Sequence, residues 1–348
     1  MYNLQRLSRQ PNYRAGKWWM SPWNLEPEVA APFKGRHVIL HDVTLRDGEQ
    51  TVGVAFSPDE RVEIALALDE LGLPRIEIGL PPVSAEVREG MQRIAACSLQ
   101  AKLYGFARTL KADIDMVVDC GLGRVVLQHI MNPYACQNAY GLDRERVKDR
   151  VIQGIAYARE KGLEVVFLGW DLTRGDDWDF VADVYGAIYR NACPDGLVVV
   201  DTFGVANPRA TGFLFRRLSR LLPDVPLEFH THNDMCMANA GIIEAVAAGC
   251  AVVHTAVNGL GDRTGNAATE EVAMMLELGH GVSTGLRLDN IMNVSLLVGL
   301  LANAWAIPLV TLLITPLALA GLVWAPLWSL GAWLVEGMMA ALGAMAAW

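Results

Sequence analysis

The stretch LEFHTHND, residues 227–234, joins a short apolar run to side chains that can bind a metal ion. We predict that residues 227–229 belong to a buried strand. Residues two apart in a strand point to the same side, so His230 and His232 are expected to project from one face. Two neighbouring imidazoles can bind one divalent metal ion. Taken alone, such a pair is more often a set of ordinary polar residues on a strand edge.

A second set of candidate ligands lies in HDVTLRDGEQ, residues 41–50, directly after the short run 37–40. Asp47 offers a hard oxygen ligand, and Arg46 places a fixed positive charge beside it. Polar residues and a glycine at a strand end are typical of active sites in parallel α/β folds. One carboxylate with two imidazoles suits Mn²⁺, Mg²⁺, Zn²⁺ or Fe²⁺ and leaves positions open for a substrate. Together the two stretches predict a metal-dependent enzyme.

Between residues 37 and 290, short strands rich in Val, Ile and Leu alternate with amphipathic helices eight times. Such alternation predicts a parallel sheet, and eight units predict an α/β fold of the closed (β/α)8 TIM-barrel type. The predicted strands are 37–45, 75–80, 101–106, 124–130, 164–169, 196–201, 227–230 and 252–257. We therefore divide the chain into an aromatic N-terminal arm (1–36), a catalytic barrel (37–290) and a hydrophobic helical tail (291–348).

Polar side chains also end or follow the other strands of the predicted barrel. Each could be a buried group satisfied within the barrel, but many polar residues at one end favour a ligand site. The predicted substrate-binding residues are Arg108, His129, Asp171, Thr202 and Asn258.

The motifs DVTLRDGEQ (42–50) and HTHND (230–234) resemble the signature of the DRE-TIM metallolyases, which include 2-isopropylmalate synthase, homocitrate synthase and hydroxymethylglutaryl-CoA lyase. The resemblance implies a metal-dependent condensation of acetyl-CoA, or another acyl-CoA, with a 2-oxo acid. It implies catalytic roles for Arg46, Asp47, Glu49 and Gln50, and a carboxylate-binding role for Thr202. It also implies metal ligation by Asp47, His230, His232 and Asn266.

Two departures from this pattern keep other functions open. Trp170 stands where the family often has an acidic residue, and Trp333 stands at the weak counterpart of a proton-transferring histidine after the barrel. An indole cannot act as a base at neutral pH. A carbon–carbon lyase or aldolase of the same superfamily is therefore an alternative. An inactive barrel with a binding or membrane-scaffold role is another.

The composition of the chain indicates a cellular compartment and excludes one class of partner. The chain has 29 basic and 38 acidic side chains, a net charge of −9, which argues against nonspecific nucleic-acid binding. Six scattered cysteines without CxxC pairs fit a reducing compartment, and residues 1–36 lack the apolar core of a signal peptide. We expect a cytoplasmic enzyme, and a homodimer, with small-molecule substrates.

The two ends of the chain are unusual. The arm places Trp18, Trp19 and Trp23 close together, and we expect them to dock on the barrel or on a partner subunit. The tail from residue 296 holds one charged side chain, Glu336. It could form helices in a dimer interface, a membrane-associated hairpin broken by prolines, or the product of a frameshift.

Overall fold

A computed structural model of the chain describes residues 12–303, 309–322 and 324–346. Its centre is a closed barrel of eight parallel strands, each paired with the next along the chain, with the last pairing with the first. The strands are β1 (Ile39–Asp42), β2 (Arg75–Glu77), β3 (Lys102–Arg108), β4 (Arg124–Ile130), β5 (Glu164–Trp170), β6 (Gly196–Asp201), β7 (Leu227–Thr231) and β8 (Val252–Thr255). The predicted (β/α)8 barrel is confirmed.

Helices connect the strands and cover the outside of the barrel. They are α1 (Pro58–Leu71), α2 (Ala85–Ala95), α3 (Lys111–Asp119), α4 (Pro133–Tyr140), α5 (Arg144–Glu160), α6 (Trp178–Asn191), α7 (Pro208–Leu221), α8 (Ala238–Ala247), α9 (Thr269–Met274) and α10 (Ile291–Ala302). Val294, Val298 and Ala302 of α10 are buried in the main hydrophobic core. The packed body of the barrel thus continues past the boundary predicted at residue 290.

The first strand is shorter than the predicted 37–45 because the chain turns sharply after Asp42. The backbone N–H groups of Arg46, Asp47 and Gly48 all donate to the Val43 carbonyl, at 3.1, 2.9 and 3.0 Å. A turn of this kind ends the extended conformation and redirects the following side chains. It brings the motif residues 46–50 over the C-terminal end of the barrel, where active sites of this fold lie.

The inward-facing side chains divide the interior of the barrel into two halves. On β7, β8, β1 and β2 they include the polar or charged residues Glu228, His230, His254, His41, Arg75 and Glu77. On β3 to β6 most of them form a separate apolar cluster made of Tyr104, Phe106, Val126, Val166, Leu168, Val198 and Val200, with Leu80 and Trp170 packed against it. These residues alternate with side chains such as Leu127 and Val199 that pack outward on the helices. We call the inward set the apolar wall.

The N-terminal arm forms a short antiparallel hairpin, Tyr13–Arg14 with Trp18–Trp19, and short helical turns between Pro22 and Phe33. Trp19 and Trp23 are 66% and 71% exposed. The expectation that these two side chains dock on the barrel is therefore wrong, whereas docking on a partner subunit stays a prediction.

The described part of the tail is helical, with a π-helix (Leu309–Ile314) followed by α11 (Thr315–Ala320) and α12 (Pro326–Ala346). Leu312, Leu322 and Trp333 are largely exposed. Within residues 12–303, 309–322 and 324–346, no helix combines the length and the apolar character needed to cross a membrane.

Arg61 on α1 holds the turn after β1 in place. Its side chain is fully buried, pairs with Glu49, and donates to the carbonyls of Leu45 and Ile78 at 2.9 and 3.0 Å. A Cβ on residue 90 would lie 2.6 Å from Cδ of Arg61, so α2 leaves room for the arginine because Gly90 has no side chain. The Arg61 guanidinium thus links the segments that follow β1 and β2 to helices α1 and α2.

We predict that Arg61→Met lowers the free energy of unfolding by about 3 kcal/mol, because it leaves the Glu49 carboxylate and two buried carbonyls without their donor. Urea unfolding monitored by circular dichroism measures the loss. The matched control is Arg93→Met, whose exposed surface pairs are screened by solvent, so that its loss should be much smaller. Equal losses in the two variants would contradict the role given to Arg61.

Candidate metal and substrate site

Asp47, His230 and His232 converge at the C-terminal end of the barrel. Nε2 of His230 lies 3.4 Å from Nε2 of His232, and the two nitrogens lie 4.0 and 3.8 Å from Oδ2 of Asp47. Two ligand atoms bound to one ion at about 2.1 Å can be at most about 4.2 Å apart. All three side chains are buried, so these donor atoms fit a single divalent metal ion.

Asn266 reaches the same site from the loop after β8. Its Nδ2 donates to Oδ2 of Asp47 at 2.6 Å and to the Leu260 carbonyl at 2.8 Å. Its Oδ1 is buried and has no hydrogen-bond partner among the described residues, so an oxygen is available for a ligand. The structure therefore brings together all four predicted metal ligands.

The glycine-rich loop after β8 makes this approach possible. Gly261 and Gly265 both have positive φ, at 155° and 86°. A Cβ on Gly261 would overlap the Asn266 side chain, and one on Gly265 would overlap the Gly259 carbonyl. Non-glycine residues rarely adopt these backbone conformations. The loop also bonds to the strand that carries the histidines, because the Asn233 N–H donates to the Gly265 carbonyl at 2.9 Å.

The protonation states of this site suit metal binding. Burial alone would raise the pKa of Asp47, but the positive charge of Arg46 outweighs that effect and lowers the pKa well below its usual value. Burial lowers the pKa of His230 well below 6.5. At neutral pH the carboxylate is ionised and the His230 imidazole is unprotonated, which are the states that ligate metals.

Arg46 lies beside the ligands with one donor unused. Its guanidinium is buried between the carboxylates of Asp47 and Glu77, to which Nη1 and Nε donate. The Phe106 ring packs against it, 4.3 Å from Cζ to the ring centroid. Nη2 is buried without a hydrogen-bond partner among the described residues. This N–H group is available to stabilise negative charge on a molecule bound next to the metal site.

Glu49 and Gln50, both predicted catalytic residues, differ in their surroundings. Glu49 pairs with Arg61 and accepts a hydrogen bond from the Phe56 N–H at 3.0 Å, so its carboxylate contacts the scaffold of the loop. Gln50 is exposed and lines a cavity of about 810 Å³ between the loops after β1 and β2. Arg46 and Leu80 line the same cavity, which therefore adjoins the metal ligands.

Three of the predicted substrate-binding residues make hydrogen bonds to neighbouring protein groups. Asp171 is fully buried and accepts from Asn132 at 2.9 Å and twice from Arg174 at 2.7 Å. The Asp171 N–H donates to Oγ1 of Thr202 at 2.9 Å. Arg108 is 57% exposed and forms a two-pronged ion pair with Asp113 of α3. Thr202 keeps a donor for a ligand, whereas the other two charges are already paired.

The remaining two predicted substrate-binding residues face away from the interior. His129 follows Gln128 on β4, and the pleat places it with the outward-facing Leu127, while Gln128 pairs in register with the inward-facing Leu168. Asn258 is exposed and bonds to Ser295 on α10. Gln128 is thus the polar β4 residue on the site face, and strand alternation is the signal that identifies it.

The structure also shows a buried polar cluster beneath the metal ligands. His41 lies 3.3 Å from Glu77, and its ring stacks on that of His254 with centroids 4.3 Å apart. His254 in turn lies 3.0 Å from Glu228, which pairs with Arg75 at 2.8 Å. Burial lowers the pKa of His41 to about 4. The two glutamates are therefore balanced by Arg46 and Arg75 rather than by this histidine.

The family model described as HMGL-like matches residues 37–298. Among curated proteins, 2-isopropylmalate synthase from Methanocaldococcus jannaschii is 39% identical over 261 residues, which are 75% of this chain and 50% of that protein. Homocitrate synthase AksA from Methanopyrus kandleri is 38% identical over 252 residues, 72% of this chain and 63% of that protein. The chain therefore spans about half to just under two thirds of the length of these relatives.

Solved structures show the same fold. The HMG-CoA lyase from Brucella melitensis superposes with a TM-score of 0.68 at 20% identity, covering 77% of this chain and all of that one (100%). The hydroxymethylglutaryl-CoA lyase from Pseudomonas aeruginosa gives a TM-score of 0.66 at 24% identity, covering 76% of this chain and 92% of that one. At these identities the likeness establishes the barrel fold.

We predict that Asp47→Asn abolishes stable binding of Mn²⁺ or Zn²⁺, because it removes the one anionic ligand of the buried set. Metal analysis after equilibrium dialysis measures the stoichiometry, which should fall from one ion per chain to none. The control is Asp262→Asn, which removes the same charge from a more exposed carboxylate that pairs with Arg263. Full occupancy in Asp47→Asn would overturn the ligand assignment.

The buried Asp42 carboxyl predicts a pH dependence of stability. Burial raises its pKa to about 7, so between its unfolded pKa near 4 and pH 7 the folded state holds a proton that the unfolded state releases. This group therefore lowers stability as pH rises to 7. We expect the free energy of unfolding of Asp42→Asn to rise, relative to that of the wild type, by on the order of 2 kcal/mol between pH 5 and pH 8. A pH-independent difference in urea unfolding would contradict this.

Proposed function

This chain belongs to the HMGL-like family, and we propose that it is a metal-dependent enzyme that condenses acetyl-CoA, or another acyl-CoA, with a 2-oxo acid. The observation that carries the proposal is the buried set Asp47, His230 and His232 with the unused Nη2 of Arg46 beside it. The synthases among its relatives support the direction of the reaction. The proposed metal is Mn²⁺, Mg²⁺ or Zn²⁺, since two imidazoles and a carboxylate accept each of these.

The residues around the ligands supply the rest of the chemistry. Asp47, His230 and His232 would hold a divalent ion, which would supply polarisation of the carbonyl of the 2-oxo acid. Arg46 donates to the alkoxide or enolate oxygen that develops during carbon–carbon bond formation, and the surrounding burial strengthens that interaction. Thr202 offers its hydroxyl proton to the substrate carboxylate. Asn266 holds Asp47 in its ligating position.

The cavity beside Gln50 is the proposed site for the acyl-CoA. Its volume of about 810 Å³ accommodates an extended thioester arm. It opens between the loops after β1 and β2 and reaches Arg46, so a thioester bound there would lie beside the proposed site of the 2-oxo acid. Val52, Val54 and Phe56 give this cavity an apolar side.

A carbon–carbon lyase is the second candidate function. It is favoured by Trp333, which stands at the weak counterpart of the proton-transferring histidine of the resembled synthases and whose indole cannot act as a base. The same metal and arginine would then stabilise the enolate released by cleavage.

We also propose a cytoplasmic homodimer. All six cysteines are free thiols, which is typical of reducing compartments. The exposed tryptophans of the arm and the exposed leucines of α10 and of the tail are candidate interface residues.

The test is thiol release from acetyl-CoA by the metal-loaded protein against a panel of 2-oxo acids. We expect release that requires a 2-oxo acid and stops on addition of a chelator. Arg46→Gln should lower kcat by about 10²- to 10³-fold, because it removes a preorganised donor to the developing oxyanion. Arg93→Gln, a surface substitution on α2, should leave kcat unchanged.

The outcomes separate the candidates. No thiol release from metal-loaded protein, together with metal-dependent cleavage of a 3-hydroxyacyl-CoA, would replace the synthase proposal with the lyase. If the protein binds no metal and catalyses neither reaction, the inactive barrel would be the remaining hypothesis.

A further inference from the structure

Most inward-facing side chains in the half of the barrel that faces the metal ligands are apolar up to its C-terminal end, and Gln128 on β4 is an uncharged polar group among them. Phe106, Leu168 and Val200 are the last inward-facing buried residues on β3, β5 and β6. Trp170 and Leu80 pack against this wall at the same end. A side chain extending from a substrate on the metal toward β3 to β6 would therefore meet mainly carbon atoms, together with the uncharged amide of Gln128.

The apolar wall adjoins the metal site directly. Val200 pairs in register with His230, so the two inward side chains are neighbours on adjacent strands. Phe106 packs against Arg46, whose Nη1 bonds to Asp47. The apolar wall therefore lies beside the metal ligands in two places: Val200 is next to His230, and only Arg46 separates Phe106 from Asp47.

The cations at this end of β3 and β5 are already paired. Arg108 follows the wall on β3, and both of its donor arms bond to Asp113. Arg174, after β5, bonds through two nitrogens to Asp171. A second carboxylate on a substrate would lose its hydration there and gain no free cation in return.

Resting on the proposed function, we propose that the substrate is a 2-oxo monocarboxylic acid with an apolar side chain, and that Leu168 and Trp170 are specificity-determining residues. The carboxylate and the oxo group are held at the metal end by the ligands, Thr202 and Arg46. The apolar side chain lies against the wall, with the indole of Trp170 closing the far end. Removing apolar surface from water favours this substrate over one with a second charge.

The first experiment compares kcat/KM for 2-oxo-3-methylbutanoate, 2-oxobutanoate, oxaloacetate and 2-oxoglutarate in the thiol-release assay. We expect both monocarboxylates to exceed both dicarboxylates by at least about 100-fold, as a buried charge without a partner requires. A preference for either dicarboxylate, with thiol release intact, would overturn this inference and leave the proposed function standing.

The second experiment changes the wall. Trp170→Ala should shift preference toward longer 2-oxo acids, with the ratio of kcat/KM for 2-oxooctanoate over 2-oxobutanoate rising about tenfold or more. Leu168→Ala should produce a shift in the same direction. The control is Trp178→Ala on α6, which replaces a half-buried tryptophan stacked on Arg217 outside the barrel. An unchanged ratio in both wall variants would overturn their role.

Binding provides a readout that does not depend on turnover. Calorimetry on the Mg²⁺-loaded protein should detect 2-oxo-3-methylbutanoate and give weaker or undetectable binding of 2-oxoglutarate. If no 2-oxo acid supports thiol release but this order of binding holds, the proposed reaction fails and the substrate class stands. If the dicarboxylate binds more tightly, the substrate class fails whatever the reaction.

Discussion

The burial of the Arg46 guanidinium is the constraint on which the active end of the barrel depends. An unpaired cation at this depth would cost several kcal/mol, so carboxylates must reach it from two directions. Glu77 does so from β2, and Asp47 from the turn after β1. Because Asp47 also receives a hydrogen bond from Asn266, the loop after β8 is tied to the same pair. The ligand oxygen is thus positioned by three chain segments.

The separation of polar and apolar halves inside the barrel follows from the same requirement. Each buried charge needs a partner within a few ångströms, so the charged residues lie close to one another. Arg46 pairs with Glu77, and Arg75 pairs with Glu228. The opposite half carries charges near its rims, for example in the Arg124–Glu164 pair, and the low polarisability of the apolar side chains nearer the ligands strengthens the field of Arg46 at the reaction site. The separation of the two halves therefore stabilises the buried charges and also favours a substrate with an apolar side chain.

Much of the fold was predictable from the sequence, since strand periodicity and apolar content identify all eight strands. The approach of His230 to His232 was predictable too, because the HxH spacing on a strand end fixes which way both imidazoles point. The contacts of Arg108 and Asn258 were not predictable. Arg108 is captured by Asp113 of the following helix, and Asn258 adopts a positive φ of 58° that turns it toward α10. Both outcomes depend on neighbours that a local pattern does not specify.

Asp171 illustrates what distinguishes a polar residue from a ligand-binding one. Its carboxylate lies at the correct end of the barrel, yet Asn132 and Arg174 already satisfy it. Nη2 of Arg46 and Oδ1 of Asn266 lie nearby with no partner among the described residues. Leaving such atoms unpaired costs stability, since a buried donor or acceptor loses its hydration. That cost is recovered when a ligand binds, so the unpaired atoms rather than the polar residues as a group outline the reaction site.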